Sequence, residues 1–196
     1  GALFNRRICI FPPSALDASS SWFGQETPVD REPGRLFVGV FAPGKSVKTA
    51  LLRVDAALLS RAARLHDDDP DATDPYMTLV GYFNSLRELG GAVRLAEDDI
   101  PSRIKLLHRR DRDTWAWRPL YERRELTSNR RAEEIPEILA MLERRFTRDR
   151  RRGRYPVDVL FASNMISVGV DIDRLGLMVV NGQPKTTAEN IQATSR

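Results

Sequence analysis

At 196 residues the chain is long enough to bury one full core, and two large domains will not fit. The net charge is +4, with Arg far outnumbering the four lysines, an excess that suits a polyanionic partner without requiring one. The single cysteine, Cys9, excludes a disulfide framework, and with only His66 and His108 besides there is no zinc-ligand cluster, so no metal site is expected. No apolar run approaches the ~18 residues of a membrane span, and Gly1 to Arg7 lacks the charged-then-apolar order of a signal peptide. A soluble protein of a reducing, cytoplasmic compartment without membrane contact is the expectation.

Residues 1–34 hold Pro12-Pro13, Ser19-Ser20-Ser21, Pro28 and Pro33-Gly34, which predicts an irregular lead-in, with Trp22-Phe23 anchoring it. Arg35-Leu-Phe-Val-Gly-Val-Phe41 reads as a buried strand that opens the domain 35–196. From Ser46 to Leu65, apolar residues at Val47, Leu51, Val54, Leu58, Ala62 and Leu65 keep helical spacing, with Ser46 as N-cap. The stretch from His66 to Pro75 reads as a polar linker, because Pro70 and Pro75 interrupt a helix, and its acids should be solvated.

Tyr76 to Phe83 predicts a second strand, and Ser85-Leu-Arg-Glu88 is a capping box opening a helix to about Leu95. Residues 96–124 are poorly legible, although Thr114-Trp-Ala-Trp-Arg118 has the alternation of a strand. Glu125-Leu-Thr-Ser128 ends a further strand, before a helix with the apolar face Ile135, Ile138, Leu139, Leu142 and Phe146, in which Pro136 fits only within the first turn. Strands at 157–162 and 177–181 follow, the first preceded by the basic loop Arg148 to Arg154. This alternation predicts an α/β domain with a mainly parallel sheet flanked by helices.

In an open parallel sheet the loops at the carboxyl ends of the strands gather the ligand-binding groups. Asn84-Ser85, Thr127-Ser128, Ser163 to Asp171 and Gly182-Gln183 all follow strands, so one edge should collect them. Leu79-Val-Gly-Tyr-Phe-Asn-Ser85 resembles motif IV of superfamily 2 helicases and translocases. Ala162-Ser-Asn-Met-Ile-Ser-Val-Gly-Val-Asp171 is similar to motif V, and Gln192-Ala-Thr-Ser-Arg196 to the start of motif VI. The wording around Ile166 to Ile172 and Gln192 to Arg196 also resembles the large helicase of DISARM-type antiphage systems. The resemblance covers about residues 76–196, and it departs from the family at Asn164, Val168 and Ser195.

The resemblance implies the second, C-terminal RecA-like motor domain of an ATP-dependent helicase, cut within motif VI. It implies that Ser163, with Asn84, Ser85, Thr127 and Ser128, meets nucleic acid, DNA ahead of RNA. Gly169 and Asp171 would approach the ATP ribose, and Gln192 and Arg196 would act on its phosphates. ATP and Mg²⁺ would be held mainly by the first RecA-like domain of the same protein, absent from this chain.

Gly39-Val-Phe-Ala-Pro-Gly-Lys-Ser46 matches the phosphate-binding pattern G-x-x-x-x-G-K-S/T, between a predicted strand and helix. Lys45 and Ser46 would then serve a self-contained NTPase. Against this, too little chain separates Lys45 from Ser163 for the rest of a first motor domain, and no later strand ends in an Asp-Glu pair. A noncatalytic nucleic-acid-binding or docking module is the third reading. The basic loop Arg148 to Arg154 reads as solvated, Trp115 and Trp117 as core, and His108 as a surface residue.

Overall fold

The computed structural model describes residues 20–21, 24–25, 27–28, 30–31, 34–131, 133–148, 155–163 and 172–194. Two compact units divide the chain, Gly1–Phe41 and Ala42–Arg196. In the first, β1 (Ser20–Ser21) and β2 (Gly24–Gln25) form a short antiparallel pair. The anchor expected at Trp22-Phe23 lies outside the described residues. Residues 34–42 carry no strand, contrary to expectation, and the apolar side chains of Leu36 to Phe41 stand exposed.

In the second unit, α1 (Val47–Asp68) begins at Ser46, whose side chain accepts the Thr49 N–H. It ends at Asp69, whose carboxylate caps the short helix α2 (Pro70–Thr73). The expected linker is therefore helical: Pro70 stands in the first turn of α2 and Pro75 in that of the 3-10 turn Asp74–Tyr76, where a missing N–H costs nothing. Strand β3 (Leu79–Phe83) leads to α3 (Leu86–Arg94), with Ser85 as its N-cap. The helix does not stop near Leu95. A π turn, Leu95–Asp99, in which the Ile100 N–H reaches back to Leu95 O, carries it into α4 (Ile100–Arg110). Pro101 then stands in the first turn of α4, where its missing N–H costs little.

No strand forms at Thr114 to Arg118. The backbone there bonds to helices instead: Ser60 Oγ donates to Ala116 O at 2.8 Å, Arg61 to Thr114 O, Arg64 to Asp113 O, and His108 Nδ1 meets Trp115 O at 2.8 Å. His108 is thus a half-buried clasp, and Trp117 is exposed rather than core. Then come β4 (Arg123–Leu126), α5 (Glu134–Leu142) with Pro136 in its first turn, β5 (Val159–Ala162), β6 (Leu177–Asn181) and α6 (Thr187–Thr194).

The four longer strands make one parallel sheet in the order β4-β5-β3-β6, an α/β fold as expected. Alternation along the strands sorts two cores. Leu79, Phe83, Val159 and Phe161 pack with α1, α3 and α4 residues such as Leu59, Leu89 and Ile104. Val80, Tyr82, Leu160 and Ala162 pack with Ile138, Met141 and Leu142 of α5 and Ala193 of α6. Helices therefore cover both faces. Among the described residues no helix is long and apolar enough to cross a membrane.

Buried polar groups tie down the amino end of this sheet. Arg118 and Asp158, 2% and 0% exposed, pair at 3.2 Å, and the second Asp158 oxygen accepts the N–H groups of Tyr121 and Glu122. Arg118 also bonds Met77 O and lies 5.2 Å over the Phe146 ring. Beside it Arg174 donates to Asp74, Thr78 and Leu142 O. Asp74 is therefore not solvated as the linker reading required: burial pushes its carboxyl up, but bonds from Arg174 and the Phe146 N–H, with the charges of Arg174 and Arg145, hold it below the ordinary value. Gly176 is needed here by close approach, since a Cβ on it would meet the Pro75 Cβ at 3.0 Å.

Asp55 is the opposite case. It is buried on the face of α1 that carries Leu51, Ala56 and Leu59, its Oδ1 has no hydrogen-bond partner among the described residues, and burial raises its pKa to about 7. A carboxyl raised on folding favours the protonated native state, so this contribution is present below the unfolded value of 3.8 and lost as pH rises through about 7. Asp74 acts in a separate window, contributing above 3.8 and losing its contribution as pH falls lower. Denaturant unfolding between pH 5 and 8 should show the parent losing stability as Asp55 ionises and Asp55→Asn lacking that fall, with the variant ahead at pH 8 by on the order of a few kcal/mol. Parallel pH profiles for the two proteins would contradict this assignment.

Candidate functional site at the carboxyl edge of the sheet

Parallel register fixes which residues share an edge. Leu126 stands opposite Ala162, Ala162 opposite Tyr82, and Phe83 opposite Asn181. Thr127 and Ser163 therefore emerge level with Phe83 and Asn181, and Asn84 and Gly182 follow one residue later at the same edge. Three strand spacings of about 4.8 Å make a row roughly 14 Å long. The structure thus brings together the described members of the expected set.

Their local roles differ. Thr127 is buried and its carbonyl accepts the Arg130 N–H at 3.0 Å, so it closes a turn, while Ser128 is exposed. Ser163 is half-buried, and its N–H extends the ladder to Leu126 O at 3.3 Å. Ser85 is exposed and its hydroxyl accepts the Glu88 N–H, a helix cap that leaves its O–H proton to donate elsewhere. Asn84 is a clasp: its Nδ2 donates to Asn181 O at 3.4 Å and Gln183 O at 3.1 Å, while its buried Oδ1 has no partner among the described residues. Gly182 turns the chain there at φ +78, in the left-handed region that suits glycine.

Sequence reasoning passed over the pair that seats α6. Tyr82, fully buried on β3, donates its hydroxyl to Glu189 Oε1 at 2.9 Å, and Glu189 Oε2 accepts the Lys185 N–H at 3.2 Å. Thr186 Oγ1 caps the helix by accepting the Glu189 N–H. Burial, then the hydrogen bond and charge of Glu189, pushes the Tyr82 phenol up to about 12. The two residues lie 107 positions apart, and no local period links them.

Gln192 lies in α6, with its side chain outside the described residues, as are Gly169, Asp171, Ser195 and Arg196. The basic run 149–154 is outside them too, and the described Arg148 pairs with Asp67. At the other candidate, Lys45 N–H bonds Ala42 O at 3.2 Å, Gly44 takes φ +74, and Ser46 is occupied as the α1 cap, but no strand precedes the turn. Elsewhere, Trp117, Arg118, Tyr121, Phe146, Arg148 and Tyr155 line an open cleft of about 420 Å³ among residues that precede β4 and β5.

The chain is 48% identical over 197 residues to the DISARM protein DrmA of Bacillus paralicheniformis. That alignment takes in 99% of this chain and 17% of DrmA, so the chain spans about a sixth of the relative's length. No protein-family model matches.

Tyr82→Phe keeps the ring volume in the core and removes the hydroxyl that bonds Glu189. Loss of a hydrogen bond to a carboxylate should cost about 1–3 kcal/mol, concentrated in α6. Hydrogen exchange should show faster amide exchange in Thr187–Thr194 and little change in Leu79–Phe83. Unchanged exchange in the helix would mean that the pair does not hold it.

Proposed function

We propose that the chain belongs to the second RecA-like motor domain of a superfamily 2 helicase or translocase, and that the full-length protein is the helicase-type component of a DISARM-like antiphage system. The observation that carries the reading is that the strand ends resembling motifs V and IV, after β5 and β3, lie on adjacent strands at one sheet edge, with β6, the strand that precedes the motif VI-like segment, on the other side of β3. The name printed for the relative, a DISARM protein, points to the same system.

On this reading the motor fold occupies the compact unit Ala42–Arg196. The Ser163 hydroxyl donates to a phosphate oxygen, and Asn84, Ser85, Thr127 and Ser128 line the rest of a single-strand track. These are neutral donors and acceptors, the kind that positions a backbone rather than reading bases. DNA is the favoured partner. Gly169 and Asp171 approach the ATP ribose, while Gln192 and Arg196 act on the phosphates. ATP, held with Mg²⁺ chiefly by the other motor domain, supplies the free energy that moves the two domains. The Tyr82–Glu189 bond ties the α6 element to the central strand, so a shift at the nucleotide reaches the track through the core.

In the full-length protein, Ser163→Ala should weaken single-stranded DNA binding about tenfold at fixed salt, whereas Arg151→Ala should leave it unchanged. The reverse ranking would overturn the placement of the track. Arg196→Ala should lower ATP turnover about 10³-fold or more with an unaltered thermal midpoint, and Arg196→Lys should rescue little, since an ammonium lacks the planar fork. Parental turnover in both variants would remove motif VI from the account. This chain by itself should hydrolyse ATP negligibly. Turnover that Lys45→Ala abolishes would favour the self-contained NTPase instead.

A further inference from the structure

The segment Leu36–Phe41 is the most apolar stretch left without cover. Leu36, Phe37, Val38, Val40 and Phe41 are 88%, 70%, 72%, 62% and 90% exposed. Scattered exposed apolar residues are ordinary, but five within six positions form a continuous patch of the kind that marks an interaction site. Among the described residues no strand includes the segment.

Its pattern says what must cover it. In an extended chain Leu36, Val38 and Val40 point to one face, and Phe37 and Phe41 point to the other. An edge strand or a strand with one wet face would alternate apolar and polar residues. Apolar side chains on both faces belong to an inner strand of a sheet layered on both sides. Such a strand needs a neighbour on each side and a layer above and below. A second copy contributing the same segment supplies one neighbour and no layers.

The size of the relative supplies the rest of the argument. The match takes in nearly all of this chain and only 17% of DrmA, so the homologous protein has ample chain for another layered domain. The compact unit Ala42–Arg196 begins directly after Phe41, where such a strand would end. We infer that residues 36–41 form an inner strand of a β-sheet built by a part of the full-length polypeptide outside these 196 residues. The chain then passes from that sheet through the turn at Ala42–Lys45 into α1. The inference stands apart from the proposed motor activity and survives its failure.

Two measurements on the full-length protein test it. Hydrogen exchange should find consecutive amides from 36 to 41 as slow as those of Val159–Ala162, because an inner strand bonds on both sides. Exchange within seconds, or protection of alternate amides only, would overturn the inner-strand assignment. Photocrosslinking from p-benzoylphenylalanine placed at Phe37 or at Phe41 should give intramolecular products mapping outside the 196 residues. Products mapping to Leu177–Asn181 would show that this chain's own sheet covers the segment, and intermolecular products in an isotope-mixed sample would show a second copy. Either result, or the absence of any product, would overturn the proposal.

Discussion

The buried Arg118–Asp158 pair is the constraint on which the rest of the sheet depends. Two charges out of water are costly unless they pair closely and gain further hydrogen bonds. Asp158 accepts from Arg118 and from two backbone N–H groups, and Arg118 also donates to Met77 O and lies over the Phe146 ring. The partners come from the chain just before β3, β4 and β5, so a single polar knot sets where three strands begin. Removing one member of such a pair typically costs about 3–5 kcal/mol, a large share of the ~5–15 kcal/mol that holds a domain folded. Arg174 repeats the arrangement beside it, binding Asp74, Thr78 and Leu142 O.

Fixing the amino ends fixes the carboxyl ends, because a parallel ladder transmits register along each strand. The polar residues at 127 and 163, and those at 84 and 182 one residue further on, thereby arrive at one edge. The two edges are unlike. At the amino end the charges neutralise one another in the core, whereas at the carboxyl end hydroxyls and amides close turns and keep spare hydrogen-bonding capacity, as Asn84 Oδ1 does. A strand bearing Arg123, Arg124 and Glu125 borders the sheet on the β4 side, and such charges discourage further strand addition there.

Local periodicity and caps made the α/β frame legible: the spacing from Leu51 to Ala62 for α1, the Ser85 capping box for α3, and the apolar runs for β3, β5 and β6. Legibility failed where a tertiary bond outweighed a local signal. The stretch after Leu95 was poorly legible, but a π turn carries the helix on into α4, with Pro101 in the first turn of α4. Trp115 and Trp117 had strand alternation, but Ser60, Arg61, Arg64 and His108 take the backbone groups a strand would use. Asp74 looked solvated because its partner Arg174 lies 100 positions away. At the candidate edge, Asn84, Ser85, Thr127, Ser128 and Ser163 were found by the strand-end rule, whereas Tyr82 and Glu189 left no local trace.

The central claim is that nucleic acid runs along the carboxyl edge of this sheet. A structure of the full-length protein with single-stranded DNA tests it most directly. The account predicts phosphate oxygens within hydrogen-bond reach of Ser163 Oγ and a backbone path passing Asn84 and Thr127. DNA stacked instead on Trp117, Tyr121 and Tyr155, before the amino ends of β4 and β5, would contradict it.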